Sequence, residues 1–181
     1  MATTSKHDAK AIDQAIDRVA SAIALRHAKT ARLLLVAIAN GGNILARRLA
    51  ARLQKAGIAA GAGVIDISFH RDDISRHPIP KEFSPTTIPH DINGATVILV
   101  DDVLNTGRSV KAALDELFDH GRPDRVELAV LVDRGGRRLP VSADYSGLTL
   151  KAADTQKIIV ALDDNLPAAD AISVLAANRK S

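Results

Sequence analysis

The sequence predicts an α/β fold: a doubly wound, mostly parallel sheet with helices on both faces. Several runs of strand length are apolar at nearly every position, and stretches with the apolar spacing of amphipathic helices separate them. The apolar share is 46% but aromatic residues make up only 2%, so the core consists of the aliphatic side chains that suit α/β layers. Strands that are apolar throughout are buried on both faces, which is typical of parallel sheets covered by helices.

Helices are predicted where apolar residues recur at spacings of three and four. The first such stretch spans 8–27 and contains Ile12, Ala15, Ile16, Val19, Ala20 and Ile23. A second spans 44–55, and a third follows Ser109, where Val110, Ala113, Leu114, Leu117 and Phe118 share one face. Each helix has one apolar stripe, so each is expected to pack against a sheet.

The predicted strands are short apolar runs. They span 33–39, 64–69, 96–100, 126–132 and 157–162. Residues 75–93 include Pro78, Pro80, Pro85 and Pro89, too many breakers for a helix or a central strand. We expect that segment to be mostly a long loop.

Length and composition narrow the class of protein. A chain of 181 residues is expected to form one domain, 1–181. It has no cysteine, which excludes disulfides, thiolate zinc sites and a cysteine nucleophile. The N-terminus lacks the apolar stretch of a signal peptide, and no apolar run approaches the roughly 20 residues that span a bilayer, so we expect a cytoplasmic protein without a membrane partner. The net charge of +3 suits anionic small substrates and also a weak attraction to nucleic acid.

Polar residues follow three of the predicted strands where each strand ends. These are Asn40-Gly41-Gly42, Asp101-Asp102 and Asp133-Arg134-Gly135-Gly136. In parallel α/β sheets, ligands bind outside the carboxyl ends of the strands. The three segments are therefore expected to meet at one ligand site.

The middle segment carries the most specific chemistry. Two carboxylates, Asp101 and Asp102, precede the residues VLNTGRS at 103–109, which open a helix. Gly107 permits a positive φ, and the amides at the helix start, with the hydroxyls of Thr106 and Ser109, form a nest for a phosphate. The adjacent carboxylates can accept hydrogen bonds from two neighbouring ribose hydroxyls. The segment predicts a site where a phosphate and a diol lie side by side.

The sequence of residues 97–109, VILVDDVLNTGRS, resembles the phosphoribosyl pyrophosphate (PRPP) signature of type I phosphoribosyltransferases. The segments DISFHRDD, IPHDINGATVILVDDVLNTGRSVKAALDEL and GRPDRVELAVLVDRGGRRLPVSADYSG resemble, more narrowly, the bifunctional pyrimidine operon regulator and uracil phosphoribosyltransferase family. This resemblance implies a flexible lid loop, Mg²⁺ carried on the diphosphate, and formation of UMP and pyrophosphate from uracil and PRPP. It also implies homodimers or larger homo-oligomers and, in some members, binding to pyrimidine-operon leader RNA.

The resemblance assigns roles to particular residues. Asp101, Asp102 and Arg71 are the expected catalytic residues, and the two aspartates are also expected to contact Mg²⁺ through the substrate or a water molecule. The expected PRPP-binding residues are Val103, Leu104, Asn105, Thr106, Gly107, Arg108 and Ser109, together with Ala39, Asn40 and Gly41 at the pyrophosphate. Val132, Asp133 and Arg134 are the expected base-binding residues.

The chain departs from the family pattern at three places. A Lys-Thr-Arg-Gly loop is common where this chain has Ala39-Asn40-Gly41-Gly42, so both positive side chains are gone. Residues 136–140 are Gly-Arg-Arg-Leu-Pro instead of the usual His-Arg-Glu-Leu-Pro. Asn105 stands where purine-type relatives have an aspartate base and uracil-type members often an aromatic residue, and an amide side chain cannot remove a proton.

Two alternatives remain open besides the uracil reaction. One is a nucleotide-sensing RNA attenuator with little or no catalysis, and the other is a phosphoribosyltransferase for another base. Asp17, Ser21, Leu148 and Thr149 replace residue types found in RNA-binding members, which disfavours the leader-RNA role. A two-component receiver is disfavoured because the phosphate nest follows the acidic pair immediately.

Overall fold

The computed structural model describes residues 3–68 and 85–176, and these form two sheets and three α-helices. The helices are α1 (Ala9–His27), α2 (Gly42–Lys55) and α3 (Arg108–Asp119). The strands are β1 (Thr3–His7), β2 (Leu33–Ile38), β3 (Gly61–Ile65), β4 (Thr96–Leu104), β5 (Arg125–Asp133), β6 (Tyr145–Thr149), β7 (Gln156–Ala161) and β8 (Ala171–Ala176). In the described part of the chain, no helix is long and apolar enough to cross a membrane.

The central sheet has five parallel strands in the order β3-β2-β4-β5-β6. Helices α1 and α2 cover one face, and α3 covers the other. All six residues of β2 are buried, as expected for a strand with a helix layer on each side. The predicted fold class, a doubly wound parallel sheet, is confirmed.

Helix α1 shows how closely the apolar spacing predicted an element. The predicted range 8–27 corresponds to Ala9–His27, and the six apolar residues of the stripe are all buried. Asp8 caps the helix, since its carboxylate accepts a hydrogen bond of 2.9 Å from the Ala11 amide.

A second, smaller sheet lies beside the first and was only partly predicted. It is antiparallel, with the strand order β1-β8-β7. Of its strands, β7 was predicted at 157–162, whereas β1 and β8 were not predicted. In β8 the buried residues Ile172 and Val174 alternate with more exposed ones, a pattern of period two that could have indicated a strand.

Two predicted strands had wrong boundaries, and strand β6 (Tyr145–Thr149) of the central sheet was not predicted. Strand β3, predicted at 64–69, spans Gly61–Ile65. The chain turns after Ile65 because the Asp66 carboxylate accepts hydrogen bonds from the Ser68 amide (2.8 Å) and hydroxyl (2.6 Å). Strand β4 continues beyond residue 100 to Leu104. Of the predicted long loop, residues 85–93 contain a single strand-like bridge, between Thr87 and Val64, and residues 75–84 lie outside the described part.

Candidate active site

Asp101 and Asp102 lie within strand β4, so the expectation that they sit in a loop beyond the strand was wrong. Asp101 is buried, with 7% of its surface exposed, and its Oδ1 accepts a hydrogen bond of 3.0 Å from the Asp102 amide. Asp102 is half-buried. In the ladder between β4 and β5, Asp101 pairs with Val130 and Val103 pairs with Val132, so the backbone on both sides of Asp102 is held in the sheet.

Neither aspartate has a cationic side chain within ion-pairing distance among the described residues. No positive charge therefore offsets the effect of burial on their pKa values. Burial raises the pKa of Asp101 well above its ordinary value, and the negative charge of Asp102 raises it further. Burial also raises the pKa of Asp102. The pair therefore resists carrying two negative charges until a positive or hydrogen-bonding ligand compensates them.

The residues of the predicted phosphate nest lie at the start of α3. Gly107 has φ of +93° and caps the helix, as the sequence indicated. A Cβ atom built on Gly107 would lie only 2.4 Å from Val141 Cγ2, so close packing also requires glycine there. The Arg108 amide lies 3.4 Å from the Thr106 hydroxyl oxygen, and α3 starts soon after β4 ends, so the start of the helix lies at the same edge of the sheet as the aspartates.

The turn after β2 lies directly against the acidic pair. A Cβ atom built on Gly41 would lie 2.8 Å from the Asp102 carboxyl carbon, and one built on Gly42 would lie 2.0 Å from the Val100 carbonyl oxygen. The Ala39–Asn40 peptide bond is cis. The Ala39 amide donates to the Ile65 carbonyl at 2.8 Å, so it is already used within the sheet, whereas the turn at Gly41 faces the site.

The loop after β5 forms the other wall. Arg134 is buried, and its guanidinium donates to Asn105 Oδ1 and to the carbonyls of Ala153 (2.8 Å) and Gln156 (3.1 Å). It thereby joins the β4–α3 loop to the small sheet. Asp133 turns the loop, since its Oδ1 accepts from the Gly135 amide at 2.9 Å and pairs with Arg137 at 2.7 Å.

Arg137 holds this wall together and was not predicted from the sequence. Its guanidinium donates to the carbonyls of Leu104 (3.1 Å), Asn105 (2.8 Å) and Val141 (3.1 Å). These bonds fix the nest and the loop against each other. From the sequence alone, an arginine in a glycine-rich loop could either bind a ligand or hold the loop in place, and nothing in its neighbours indicates which.

The structure brings most of the predicted site residues to one edge of the central sheet. The pyrophosphate turn at Ala39, Asn40 and Gly41 and the acidic pair are adjacent, and the nest at 105–109 follows the pair directly. Val103 and Leu104 lie in β4 and Val132 lies buried in β5, and their assignment as binding residues stays a prediction. Arg71 lies outside the described residues, and its assignment stays a prediction.

Comparison with known proteins identifies the family. The phosphoribosyl transferase domain family matches residues 3–165. The chain is 43% identical over 162 residues to the "Bifunctional protein PyrR" of Geobacter sp. (strain M21), covering 88% of this chain and 92% of that protein. It is 45% identical over 174 residues to the protein of the same name from Listeria monocytogenes serotype 4a, covering 92% and 93%.

Solved structures show the same fold in more distant proteins. The hypoxanthine phosphoribosyltransferase of Trypanosoma cruzi superposes with a TM-score of 0.68 at 23% identity, covering 94% of this chain and 95% of that one. A hypoxanthine-guanine phosphoribosyltransferase from Bacillus anthracis gives a TM-score of 0.70 at 17% identity, covering 97% and 100%. The resemblance that the sequence motifs indicated is thus confirmed, and the chain belongs to the phosphoribosyltransferase family, within the group of bifunctional PyrR proteins.

Proposed function

We propose that this phosphoribosyltransferase forms UMP and pyrophosphate from uracil and PRPP. The observation that carries the proposal is the acidic pair Asp101–Asp102 on a rigid strand, with the glycine-capped nest of α3 on one side and the Gly41 turn on the other. A ribose, its 5′-phosphate and a diphosphate need these three environments side by side.

Each part of PRPP has a matching environment. The 5′-phosphate would accept hydrogen bonds from the amides and hydroxyls of residues 105–109. The ribose hydroxyls would donate to Asp101 and Asp102, whose pKa values are raised by burial and which have no cationic partner among the described residues. The diphosphate would lie against the Gly41 turn, where the absence of a side chain lets backbone and ligand approach closely.

The acidic pair also suits Mg²⁺. Carboxylate oxygens are the ligands this hard cation prefers, and it is usually held by one or two carboxylates together with substrate phosphates. Among the described residues, no group of three or more His, Cys, Asp or Glu side chains could hold a metal ion, so Asp101 and Asp102 would act with the substrate's own oxygens. Bound there, Mg²⁺ would neutralise charge on the departing diphosphate.

The chain's own residues supply positioning and electrostatics for the reaction. As the bond between C1 and the diphosphate oxygen breaks, positive charge develops on the ribose, and the carboxylates of Asp101 and Asp102 stabilise it. The pyrimidine N1 then forms the new bond to C1. Asn105 accepts a hydrogen bond from Arg134, so its amide orients the wall of the site and takes no proton. Arg71 and the segment around it are proposed to shield this centre from water.

Location and assembly belong to the same proposal. A chain without cysteine fits the cytoplasm, where the pyrimidine substrates occur. We also propose that the protein forms homodimers or larger homo-oligomers, as closed symmetric assemblies are common among soluble enzymes.

An assay with a panel of bases tests the proposal. Purified protein is incubated with PRPP, Mg²⁺ and labelled uracil, adenine, guanine or hypoxanthine, and the nucleotides are separated. We expect UMP from uracil and no purine nucleotide, because Asn105 cannot share the purine N7 proton as an aspartate would. Formation of IMP or GMP faster than UMP would contradict the base assignment. The absence of any nucleotide would favour the nucleotide-sensing function.

A further inference from the structure

Two buried oxygen atoms near the end of β3 and the start of α2 have no hydrogen-bond partner among the described residues. They are Oδ2 of Asp66 and Oδ1 of Asn43. Asp66 is 7% exposed, and its other oxygen, Oδ1, already accepts hydrogen bonds from the amide and the hydroxyl of Ser68. Buried polar atoms are normally satisfied, so these two oxygens call for a group that the described residues do not supply.

Both side chains lie on the same face of the central sheet. Ile65 and Ile67 belong to the core on the α3 face, so the Asp66 side chain between them faces the side that α2 covers. Asn43, in the first turn of α2, lines a groove on that side together with Val64, which precedes Asp66 by two residues. We call the space between the two side chains, at the end of β3, the Asp66 site.

The charge of Asp66 decides what kind of ligand the site favours. In the described part of the chain, no cationic side chain is hydrogen-bonded to its carboxylate, whereas the equally buried Asp170 is paired with Arg48. A water molecule could donate to both orphaned oxygens but would leave the buried negative charge uncompensated. A monovalent cation makes the site neutral, whereas a divalent cation would leave a buried positive charge.

We infer that the Asp66 site binds a monovalent metal cation through Asp66 Oδ2 and Asn43 Oδ1. Carboxylate, amide and water oxygens are the usual ligands of hard cations, and water can complete the coordination shell. The described residues lack a group of three His, Cys, Asp or Glu side chains, but a single-charged ion needs only one carboxylate to balance it. The site is separate from the acidic pair, where Mg²⁺ is proposed to bind.

The Asp66 site adjoins the turn that is proposed to hold the diphosphate. The Ala39 amide donates to the Ile65 carbonyl at 2.8 Å, so Ala39 lies opposite Asp66 in the ladder between β2 and β3. On the other side of the turn, a Cβ atom built on Gly41 would lie 2.8 Å from the Asp102 carboxyl carbon. The turn therefore has a carboxylate on each side and no cationic side chain of its own. A cation on Asp66 would reduce the repulsion of a diphosphate, a role that rests on the proposed function.

Thermal unfolding without substrate tests the binding of the ion. The Tm is compared in KCl, NaCl and tetramethylammonium chloride at equal ionic strength, since the last cation is too large for a buried site. We expect the Tm to be about 3–6 °C higher in KCl or NaCl, as for an ion present at about ten times its dissociation constant. The difference between KCl and NaCl shows which ion the site prefers.

Two variants and a matched control show whether the ion binds at this site. Asp66→Asn keeps an acceptor oxygen for Ser68 but replaces Oδ2 with an amide nitrogen, so its Tm should be the same in all three salts. Asn43→Ala removes the other oxygen and should raise the ion concentration needed for half of the stabilisation several-fold. Asp91→Asn is the control, because the Asp91 carboxylate accepts from the Asn93 amide in the same kind of turn but is 65% exposed. Its Tm should respond to the salts as that of the wild type does.

Calorimetric titration of PRPP in the presence of Mg²⁺ tests the link to the diphosphate. The wild type should bind PRPP about 3- to 10-fold more tightly in KCl or NaCl than in tetramethylammonium chloride, the size of effect expected from one unit charge near a diphosphate. Asp66→Asn lacks the negative charge, so it should bind PRPP with the tighter affinity in all three salts.

The outcomes separate this inference from the proposed function. Equal Tm values for the wild type in the three salts, or a wild-type salt response in Asp66→Asn, would mean that the oxygens bind only water and would overturn the inference. If Asp66→Asn does not fold, an unchanged ion response in Asn43→Ala would overturn it instead. A protein that binds no PRPP in any salt would contradict the proposed function, while the Tm shift measured without substrate would still support the cation site. A Tm shift with the same PRPP affinity in every salt would overturn the role at the diphosphate.

Discussion

Buried carboxylates occur at both ends of the central sheet, and their surroundings are opposite. At the end of the sheet where the carboxyl ends of its strands lie, which we call the carboxyl edge, Asp101 and Asp102 lack cationic partners among the described residues. Burial raises the pKa values of both side chains. At the opposite end, where the amino ends of the strands lie and which we call the amino edge, Glu127 accepts hydrogen bonds from Tyr145 (2.6 Å) and His27 (2.8 Å) and forms an ion pair with Arg26 at 3.0 Å. A carboxylate with its partners in place stabilises the fold, whereas one without them is available to a ligand.

The pKa of Glu127 shows how the partners change the balance. Burial alone would raise it, but the hydrogen bonds from Tyr145 and His27 and the charge of Arg26 outweigh burial and lower it. The same bond raises the pKa of Tyr145, because burial and the neighbouring carboxylate both disfavour the phenolate. The amino-edge cluster of His27, Glu127 and Tyr145 thus stabilises one charge state.

The largest expected effect comes from neutralising the acids of the carboxyl edge. Asp101→Asn and Asp102→Asn should each lower PRPP-dependent kcat/KM by about 10²- to 10³-fold, as for the loss of one group that stabilises charge in a transition state. The fold should remain intact, because no buried cation loses its partner. Steady-state kinetics and thermal unfolding check this, with Asp115→Asn on the exposed face of α3 as the matched control. Unchanged PRPP kinetics in both variants would refute the site assignment.

The converse is expected at the amino edge. Glu127→Gln should lower the free energy of unfolding by about 2 kcal/mol, because it removes charge-assisted hydrogen bonds in a buried cluster. The kcat/KM of the folded protein should stay within about twofold of wild type, since the cluster lies at the far end of the sheet. Urea denaturation measures the first quantity, with Glu116→Gln on α3 as the control. If Glu127→Gln instead kept its stability and lost activity, Glu127 would serve the reaction and not the fold, contrary to this prediction.

The pH dependence of stability should have opposite signs at the two edges. The folded pKa of Glu127 is lowered from 4.5, so its contribution is present above that pH and is lost as the pH falls through the folded value. The folded pKa of Asp101 is raised from 3.8, so stability is lost as the pH rises through the folded value. The destabilisation by Glu127→Gln should therefore shrink below pH 4.5, whereas Asp101→Asn should be more stable relative to wild type at pH 7 than at pH 4. Parallel pH profiles for the two variants would contradict this difference.

The smallest effect concerns the surface of α1, where charges are paired as at the amino edge. The Asp17 carboxylate accepts a hydrogen bond from Arg52 at 2.5 Å, and Leu148 packs partly against the core, so neither residue offers a positive charge to a phosphate backbone. We expect weak or absent binding of pyrimidine-operon leader RNA, measured by gel shift at about 0.15 M salt. Specific binding in the nanomolar range would show that RNA recognition uses other residues.

Predictability differed between the two sheets for a physical reason. Three strands of the central sheet, β2, β4 and β5, are apolar runs that could be predicted from hydrophobicity alone, whereas β6, with the sequence YSGLT, was not predicted. Strand β1 has the sequence TTSKH, which carries no apolar pattern and becomes a strand only because it pairs with β8. Pairing between the two ends of the chain depends on contacts that local sequence does not contain.

The candidate site divides in the same way. The acidic pair, the glycine-capped nest and the glycine turn were predictable, because each is a local motif whose residue types match one chemical task. The roles of Arg134, Arg137 and Arg138 were not, because the three are close in sequence and chemically identical. Arg134 is buried against neutral acceptors, Arg137 ties the loop to β4, and Arg138 is exposed at the surface.

The sequence by itself therefore determined the parallel sheet, the family and the residues of the proposed phosphate-and-diol site, since apolar periodicity and a contiguous motif are local properties of the chain. Only the tertiary structure decided which charges are paired. Asp101 and Glu127 are both acidic residues in apolar strands, yet one has no cationic partner within reach in the described residues, while the other meets His27 and Tyr145 from elements 100 and 18 residues away. A pKa depends on distances across the fold, and those distances separate the edge of the proposed ligand site from the edge where Glu127 is fully paired.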